Sequence, residues 1–231
     1  MQIPGATNFR RIANLRPVLY RSDHLGALDE DDARQIQALG ITRVLDFRGV
    51  NERTSAACAL PGVVVHSLPI EPTIVQRLQG MAALGQRPTP REVDQLMIET
   101  YRGFVQHNTH RFAEFFGHLL ESDEPTVFHC TAGKDRTGLA AALLLHALDT
   151  PADEVMQDYL LTNERLAMPD ESRHGLPQDV MEVLWRVQPD YLAAAYAEAE
   201  DRFGSLDDYL AEGLGLGEAQ RQRLKALYLG G

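Results

Sequence analysis

The chain has 231 residues, of which 44% are hydrophobic and 24% are charged, and its formal net charge is −11 at pH 7. This composition is ordinary for a soluble globular protein. The strong negative charge argues against binding to nucleic acid and against general adhesion to anionic membranes. An anionic ligand would therefore have to be drawn in by a local basic pocket rather than by the field of the whole molecule.

Short apolar runs alternate with segments of helical periodicity in the first 150 residues. The predicted strands are 18–21, 41–46, 63–66 and 126–130, of which 41–46 and 63–66 are expected to be buried. The predicted helices are 28–39, 74–84 and 93–116. Strands separated by helices predict an α/β fold with a mostly parallel central sheet and helices on both faces.

From Pro151 onward the pattern is almost wholly helical, with Thr150 as the expected N-cap and Pro151 at the first helical position. The polar stretch 168–177, rich in Pro and Gly, is expected to be a mobile loop before a helix at 178–187. We find no repeats and no long linker, so a single domain, residues 1–231, is expected. Its α/β core would span 1–150, and its helical C-terminal part, a candidate lid, would span 151–231.

The cysteine content and the apolar runs indicate in which cellular compartment the protein is expected. Two cysteines do not make a disulfide framework, and no basic segment followed by a long apolar run opens the chain as in a signal peptide. The longest apolar stretch, 139–148, is too short to span a bilayer. These features predict a cytoplasmic protein with no stable membrane association, and non-classical secretion stays open. Cys58 is interpreted as partly buried filler, with a regulatory disulfide to Cys130 as the alternative.

The most informative stretch is His-Cys-Thr-Ala-Gly-Lys-Asp-Arg-Thr-Gly, His129 to Gly138, between a strand and an apolar helical run. Its core is a cysteine followed, after five residues, by an arginine, Cys130 and Arg136. The N–H groups of a tight strand-to-helix loop point inward and the helix N-terminus adds positive partial charge, so an anion binds well there. The same field favours the thiolate of Cys130 as a nucleophile. The pattern predicts a phosphate cradle with a thiol at its floor.

Neighbouring residue types fit this chemistry. The planar fork of Arg136 can hold two phosphoryl oxygens, and Gly133 allows a tight turn and a close approach to the ligand. Thr137 can place a hydroxyl near the sulfur, and His129 is expected to orient the loop through backbone groups. Residues expected to bind phosphate or shape the loop are His129, Thr131, Ala132, Gly133, Lys134, Thr137 and, outside it, Arg48. Arg10 or Arg21 are further candidates for the basic pocket.

This loop resembles the signature of cysteine-dependent phosphatases, in the form found in the atypical bacterial tyrosine and dual-specificity phosphatases related to mycobacterial tyrosine phosphatase B. Segments that look like markers of that family cover nearly the whole chain: 8–10, 19–22, 45–48, 191–195, 203–206 and 209–210. The resemblance implies the phosphatase fold, with helices after the loop forming a lid. It also implies hydrolysis of phosphotyrosine, and of phosphoserine, phosphothreonine or phosphoinositides, through a phosphocysteine on Cys130.

The leaving oxygen needs a proton, and two aspartates are candidates for the general acid. Asp135 lies inside the loop, and Asp46 ends a buried strand at the sheet edge where ligands bind. We rate them nearly equal, with Asp135 slightly ahead. As purely structural residues, Asp46 would anchor loop amides and Asp135 would fix an arginine. Lys134 would suit a substrate with more than one phosphate, or else steer any phosphomonoester.

The main alternative is a non-catalytic phosphate-binding module, a pseudophosphatase that holds phosphorylated partners without turnover. Such proteins usually lack the cysteine or the arginine, whereas this chain keeps both. His107 and His110 share a helical face, but no further ligands are spaced to complete a metal site. We therefore expect no metal and no cofactor, a phosphorylated protein or phosphoinositide as partner, and no nucleic acid; the oligomeric state is left open.

Overall fold

The structure, a computed structural model, describes residues 2–12, 14–71, 73–168 and 176–229. Within these ranges one sheet contains β1 (Arg10–Arg11), β2 (Leu19–Ser22), β3 (Arg43–Asp46), β4 (Val64–Ser67) and β5 (Thr126–His129). The helices are α1 (Glu30–Gln37), α2 (Val50–Ser55), α3 (Thr73–Ala83), α4 (Pro90–Glu121), α5 (Asp135–Ala147), α6 (Ala152–Leu160), α7 (Thr162–Arg165), α8 (Gln178–Trp185), α9 (Pro189–Phe203), α10 (Leu206–Asp208) and α11 (Glu218–Tyr228). A π-helical turn, Tyr209–Gly213, follows α10.

The strands lie in the order β1-β2-β5-β3-β4, and each neighbouring pair except β1-β2 is parallel. The predicted α/β fold with a mostly parallel sheet is thus confirmed. Ser22, Asp46 and His129 lie in register at the ends of β2, β3 and β5. The segments that follow these strands therefore leave the sheet together, at the edge where α/β folds bind ligands.

Both faces of the sheet are covered by apolar side chains. Because side chains alternate along a strand, Leu45 and Phe128 point into one core while Val44 and Val127 point into the other. The first core also contains residues of α4, α5, α8, α9 and α11, and the second contains residues of α1 and of the N-terminal segment. The prediction of helices on both faces is confirmed.

The prediction that residues 63–66 form a buried strand is wrong in one respect. The strand exists as β4, but it is the last strand of the sheet, and Val64 and Val65 are 61% and 41% exposed. Its β-branched composition favours extended backbone and does not by itself indicate burial on both faces.

Two helix starts differ from the prediction. α4 begins at Pro90 rather than at residue 93, because Thr89 and Glu92 form a capping box in which each side chain accepts a hydrogen bond from the other's backbone N–H. α6 begins at Ala152, and Pro151, not Thr150, is its N-cap, with an extended backbone.

Two further segments bear on the site. α2 was not predicted, and it carries a side chain of the candidate site described below. The predicted mobile loop at 168–177 falls mostly on residues 169–175, which lie outside the described residues, and α8 ends at Trp185.

Within the described ranges, no helix combines the length and the apolar character needed to cross a membrane.

Candidate active site

The signature loop, residues 130–136, leaves β5 at Cys130 and enters α5 at Asp135. Cys130 is buried at its base. Gly133 has a φ of 63°, and a Cβ there would collide with the carbonyl oxygen of Ser22. Only glycine fits this position, because the backbone is left-handed and the end of β2 lies against it.

Side chains of the N-terminal segment hold the loop carbonyls. Asn8 Nδ2 donates to the carbonyl oxygens of Ala132 and Gly133, at 3.0 Å each, and Arg21 Nη2 donates to that of Gly133 at 2.9 Å. In a trans peptide the N–H points opposite to the carbonyl. The N–H groups of Gly133 and Lys134 are therefore directed away from Asn8, as an anion cradle requires.

Behind the loop, Arg10 and Arg21 share one carboxylate. Arg21 Nη1 lies 2.6 Å and Arg10 Nε 3.5 Å from the carboxylate of Asp158 on α6, and all three side chains are buried. Burial and the neighbouring Arg21 lower the pKa of Arg10 to about 9. These arginines, suggested above as pocket cations, thus hold the loop: Arg21 donates to it directly, and Arg10 donates to the side chain of Asn8.

Arg136 is held by a glutamate that the sequence analysis missed. Its Nη1 and Nη2 lie 2.7 and 2.8 Å from the two carboxylate oxygens of Glu52 on α2, and Nη1 also donates to the carbonyl of Ile70 at 2.9 Å. Among the described residues, the Nε–H and the second N–H of Nη2 have no partner, which leaves a pair of donors on one side of the fork.

The charges of this pair are fixed. Burial raises the pKa of Glu52, but the hydrogen bonds and charge of Arg136 outweigh it and lower that pKa to about 2. Burial lowers the pKa of Arg136, but the neighbouring Cys130 and Glu52 raise it above its ordinary value. Glu52 also accepts from the N–H of Gly49 and from Thr131 Oγ1. Glu52 lies at the third position of α2 behind a glycine N-cap, so the sequence carries no capping-box signature that could have identified it.

Asp46 and Arg48 form a buried ion pair at the end of β3. The Asp46 carboxylate accepts from Arg48 Nε at 3.0 Å, from Nη2 at 2.8 Å and from the backbone N–H at 2.9 Å. Burial raises the pKa of Asp46, but the bonds to Arg48 lower it below its ordinary value. The sequence predicts that Arg48 lines the phosphate pocket. In the structure its guanidinium instead donates to Asp46 and to the carbonyl oxygen of Ala56.

His129 lies beneath the loop. Its Nδ1 is 2.9 Å from the carbonyl oxygen of Cys130, which can only accept, so Nδ1 carries the hydrogen. Burial lowers the pKa of His129 to about 4, against the opposing effect of Asp46, so the ring is neutral near neutral pH. This geometry suits the loop-orienting role expected for it.

Asp135 and Lys134 are turned toward the helices. Asp135 Oδ1 accepts from Tyr101 Oη at 3.1 Å, and its side chain is 24% exposed, against 1% for Asp46. Lys134 Nζ donates to the carbonyl of Leu184, near the end of α8, at 2.5 Å and lies 3.5 Å from Asp135. The lysine is therefore bound to α8, where the helix C-terminus favours a cation.

Thr131 and Thr137 differ in their partners. Thr131 is exposed and bonds to Glu52. Thr137 is buried in the first turn of α5, and its hydroxyl has no hydrogen-bond partner among the described residues. A buried hydroxyl without a protein partner is uncommon, which suits the role near the sulfur predicted for it.

Comparisons with known proteins identify the family of this chain. The tyrosine phosphatase family matches residues 1–230. A chain of Cupriavidus necator whose name places it among tyrosine-protein phosphatases is 33% identical over 222 residues, covering 92% of this chain and 79% of that one. The triple specificity protein phosphatase PtpB of Mycobacterium tuberculosis is 30% identical over 273 residues, covering 99% of both. The Siw14 catalytic core is similar at 13% identity with a TM-score of 0.44, covering 86% of this chain and 95% of that one. The chain therefore belongs to the tyrosine phosphatase family.

Proposed function

We propose that the protein hydrolyses phosphomonoesters through a covalent phosphocysteine on Cys130. Membership of the tyrosine phosphatase family supports phosphatase activity, and the proposal assigns its steps to residues. The observation that carries it is the orientation of the signature loop around Cys130. Its carbonyls are bonded to Asn8 and Arg21, and Glu52 sets Arg136 so that two donors stay available.

In the first step the Cys130 thiolate attacks phosphorus in line with the leaving oxygen, so that an S–P bond forms as the P–O bond breaks. The Nε–H and the second Nη2–H of Arg136 hold two phosphoryl oxygens, and the loop amides stabilise the developing charge. Asp135 gives its proton to the leaving oxygen. Its exposure favours it over Asp46, which is buried and ionised by Arg48.

In the second step water attacks phosphorus and the S–P bond breaks. The carboxylate of Asp135 takes a proton from the water, the Thr137 hydroxyl stabilises the departing sulfur, and inorganic phosphate is released. Each cycle thus restores the thiolate and the protonated acid. A thiolate nucleophile requires reducing conditions, so we place the protein in the cytoplasm, where its two cysteines stay free.

The test is turnover of p-nitrophenyl phosphate by the whole chain without added metal. We expect vanadate to inhibit it and Cys130→Ser to abolish it, while Cys58→Ser, a matched exchange at the other free cysteine, keeps it. Unchanged activity of Cys130→Ser would overturn the mechanism. Tight binding of a phosphopeptide by the unmutated protein with no release of phosphate would favour the pseudophosphatase instead.

For substrates, we propose phosphotyrosine first, with phosphoserine, phosphothreonine and phosphoinositides as further classes. The relative named a triple specificity phosphatase supports the wider range. The loop also holds a second cation, Lys134, which would serve a second phosphate if its ammonium left the carbonyl of Leu184. Phosphate release from a phosphotyrosine peptide, a phosphoserine peptide and a phosphoinositide, at equal enzyme concentration, ranks the three classes. Turnover of p-nitrophenyl phosphate with none of the three hydrolysed would contradict this range.

A further inference from the structure

Two buried tyrosines stand behind Asp135. Tyr101, on α4, and Tyr159, on α6, are both almost completely buried. The hydroxyl of Tyr101 lies 3.1 Å from Asp135 Oδ1 and 2.7 Å from the hydroxyl of Tyr159. The two phenols and the carboxyl thus form one chain of hydrogen bonds between three helices.

The direction of this chain follows from what each group can donate. An ionised carboxylate only accepts, so the hydrogen of Tyr101 is directed at Asp135. The oxygen of Tyr101 can then accept from the hydroxyl of Tyr159. Hydrogen-bond chains of this kind strengthen their members in a low-dielectric interior.

The donors keep their protons. Burial, and then the neighbouring Asp135, raise the pKa of Tyr101 well above its ordinary value, and burial does the same for Tyr159. Both phenols therefore stay protonated near neutral pH. Tyr101 is therefore a constant donor and does not itself exchange a proton with substrate.

The hydrogen bond from Tyr101 engages only one of the two carboxyl oxygens of Asp135. Tyr101 and Lys134 both approach Oδ1 of Asp135, and among the described residues no hydrogen bond engages Oδ2. A short carboxylic side chain at the start of a helix has several rotamers open to it. Holding Oδ1 restricts that choice and leaves Oδ2 as the oxygen that can carry a proton.

We propose that Tyr101, supported by Tyr159, is a positioning residue that fixes the carboxyl of Asp135 for proton transfer to the leaving group. This inference rests on the proposed function and assigns it two residues that no sequence motif marks. Orientation of a catalytic group contributes to rate because misplacement by about 1 Å already slows the chemical step strongly.

The first test is Tyr101→Phe, which removes one oxygen and keeps the ring that lies against Phe104. We expect kcat on a phosphoserine substrate to fall about tenfold, with a smaller loss on p-nitrophenyl phosphate and an unchanged KM, because only a poor leaving group depends strongly on the proton. Tyr159→Phe, which leaves the Tyr101–Asp135 bond in place, should have a smaller effect in the same direction. An equal loss on both substrates would overturn the proposal.

The matched control is Tyr191→Phe. Its ring lies against that of Tyr101, with centroids 5.6 Å apart, but its hydroxyl donates to Asp94 at 3.0 Å and not to Asp135. In the Tyr191→Phe variant, kcat should depend on the leaving group as it does in the unmutated protein. A dependence that changes as much as in Tyr101→Phe would mean that packing, not the hydrogen bond, is responsible.

A double-mutant cycle separates positioning from a merely structural role. In an Asp135→Asn background, Tyr101→Phe should cost no further rate on phosphoserine, whereas losses that multiply would overturn the proposal. The variant Tyr101→Phe/Tyr159→Phe removes both hydroxyls at once and leaves no unpaired phenol, should the single variant fold poorly. Failure of the phosphocysteine mechanism is recognised separately, as turnover that survives Cys130→Ser.

Discussion

The two sides of the signature loop are built from different interactions. On the side of the N-terminal half, ion pairs dominate: Glu52 holds Arg136 through both carboxylate oxygens, and Asp46 is paired with Arg48. On the side of the helices, a hydroxyl and a lysine share one carboxylate, because Lys134 Nζ lies 3.5 Å from Asp135 Oδ1. Tyr101 reaches Asp135 through a hydroxyl, and the partners of Lys134 on α8 are backbone carbonyls.

This difference separates two tasks. Ion pairs with strongly shifted pKa values, such as that of Glu52 at about 2, keep a constant charge around the phosphate. On the other side, the hydroxyl of Tyr101 donates to the Asp135 carboxyl and so restricts its orientation. In the proposed mechanism, phosphate binding and proton transfer would therefore lie on opposite sides of one loop.

Arg136→Lys addresses the charged side and should give the largest effect, a loss of about 10³ in kcat/KM on a phosphotyrosine peptide. An ammonium is a point charge that cannot hold two phosphoryl oxygens together with both oxygens of Glu52. Arg111→Lys, in the surface pair with Glu114, is the control and should be nearly silent. A loss smaller than about tenfold would show that the fork is dispensable.

Substitution of each candidate acid by asparagine should give the second largest effect and distinguish the two sides of the loop. Asp135→Asn should lower kcat about 10²-fold on phosphoserine and less on p-nitrophenyl phosphate. Asp46→Asn should instead lower the free energy of unfolding by about 3–5 kcal/mol, because Arg48 stays buried without its carboxylate. Rates across a leaving-group series, together with urea unfolding, measure both. A steeper leaving-group dependence for Asp46→Asn would reverse the assignment.

The ion pair of Glu52 predicts a pH dependence of stability. The pKa of Glu52 falls from 4.5 to about 2 on folding, so its stabilisation is complete above pH 4.5 and is lost as the pH falls toward 2. The shift corresponds to about 3 kcal/mol. Urea unfolding of the unmutated chain and of Glu52→Gln should give a difference that shrinks below pH 4.5, with Glu114→Gln as the surface control. A difference independent of pH would contradict the charged pair.

Lys134→Met addresses the helical side and should have the smallest effect, about a tenfold loss on a phosphoinositide and less on a phosphotyrosine peptide. Removal of the ammonium takes away one pocket charge and its bonds to α8. Added salt should narrow the gap between the two substrates by screening. Lys225→Met, at a partly exposed lysine paired with Asp149 and outside the loop, is the control. Equal losses on both substrates would mean that Lys134 only shapes the loop and holds α8.

Charge alone did not reveal which cations face the phosphate. Arg48, Arg10 and Arg21 are basic and lie close to the loop in the fold, but their partners are Asp46 and Asp158. A sequence reports that a charge exists and not whether a buried carboxylate already neutralises it. Burial of β4 was overpredicted for a similar reason, since strand order decides which strand lies at an edge.

The sequence by itself determined the parts of the site that lie within one strand-loop-helix unit. Cys130, Gly133 and Arg136 are set by local geometry, and the alternation of apolar residues together with the helix signals determined the α/β fold. Only the tertiary structure decided what holds those groups. Glu52 is 84 residues from Arg136, Tyr101 is 34 from Asp135, and Asn8 is 125 from Gly133. Partners so distant in the chain meet only because parallel strands end at one edge of the sheet and helices pack across it, which no local spacing records.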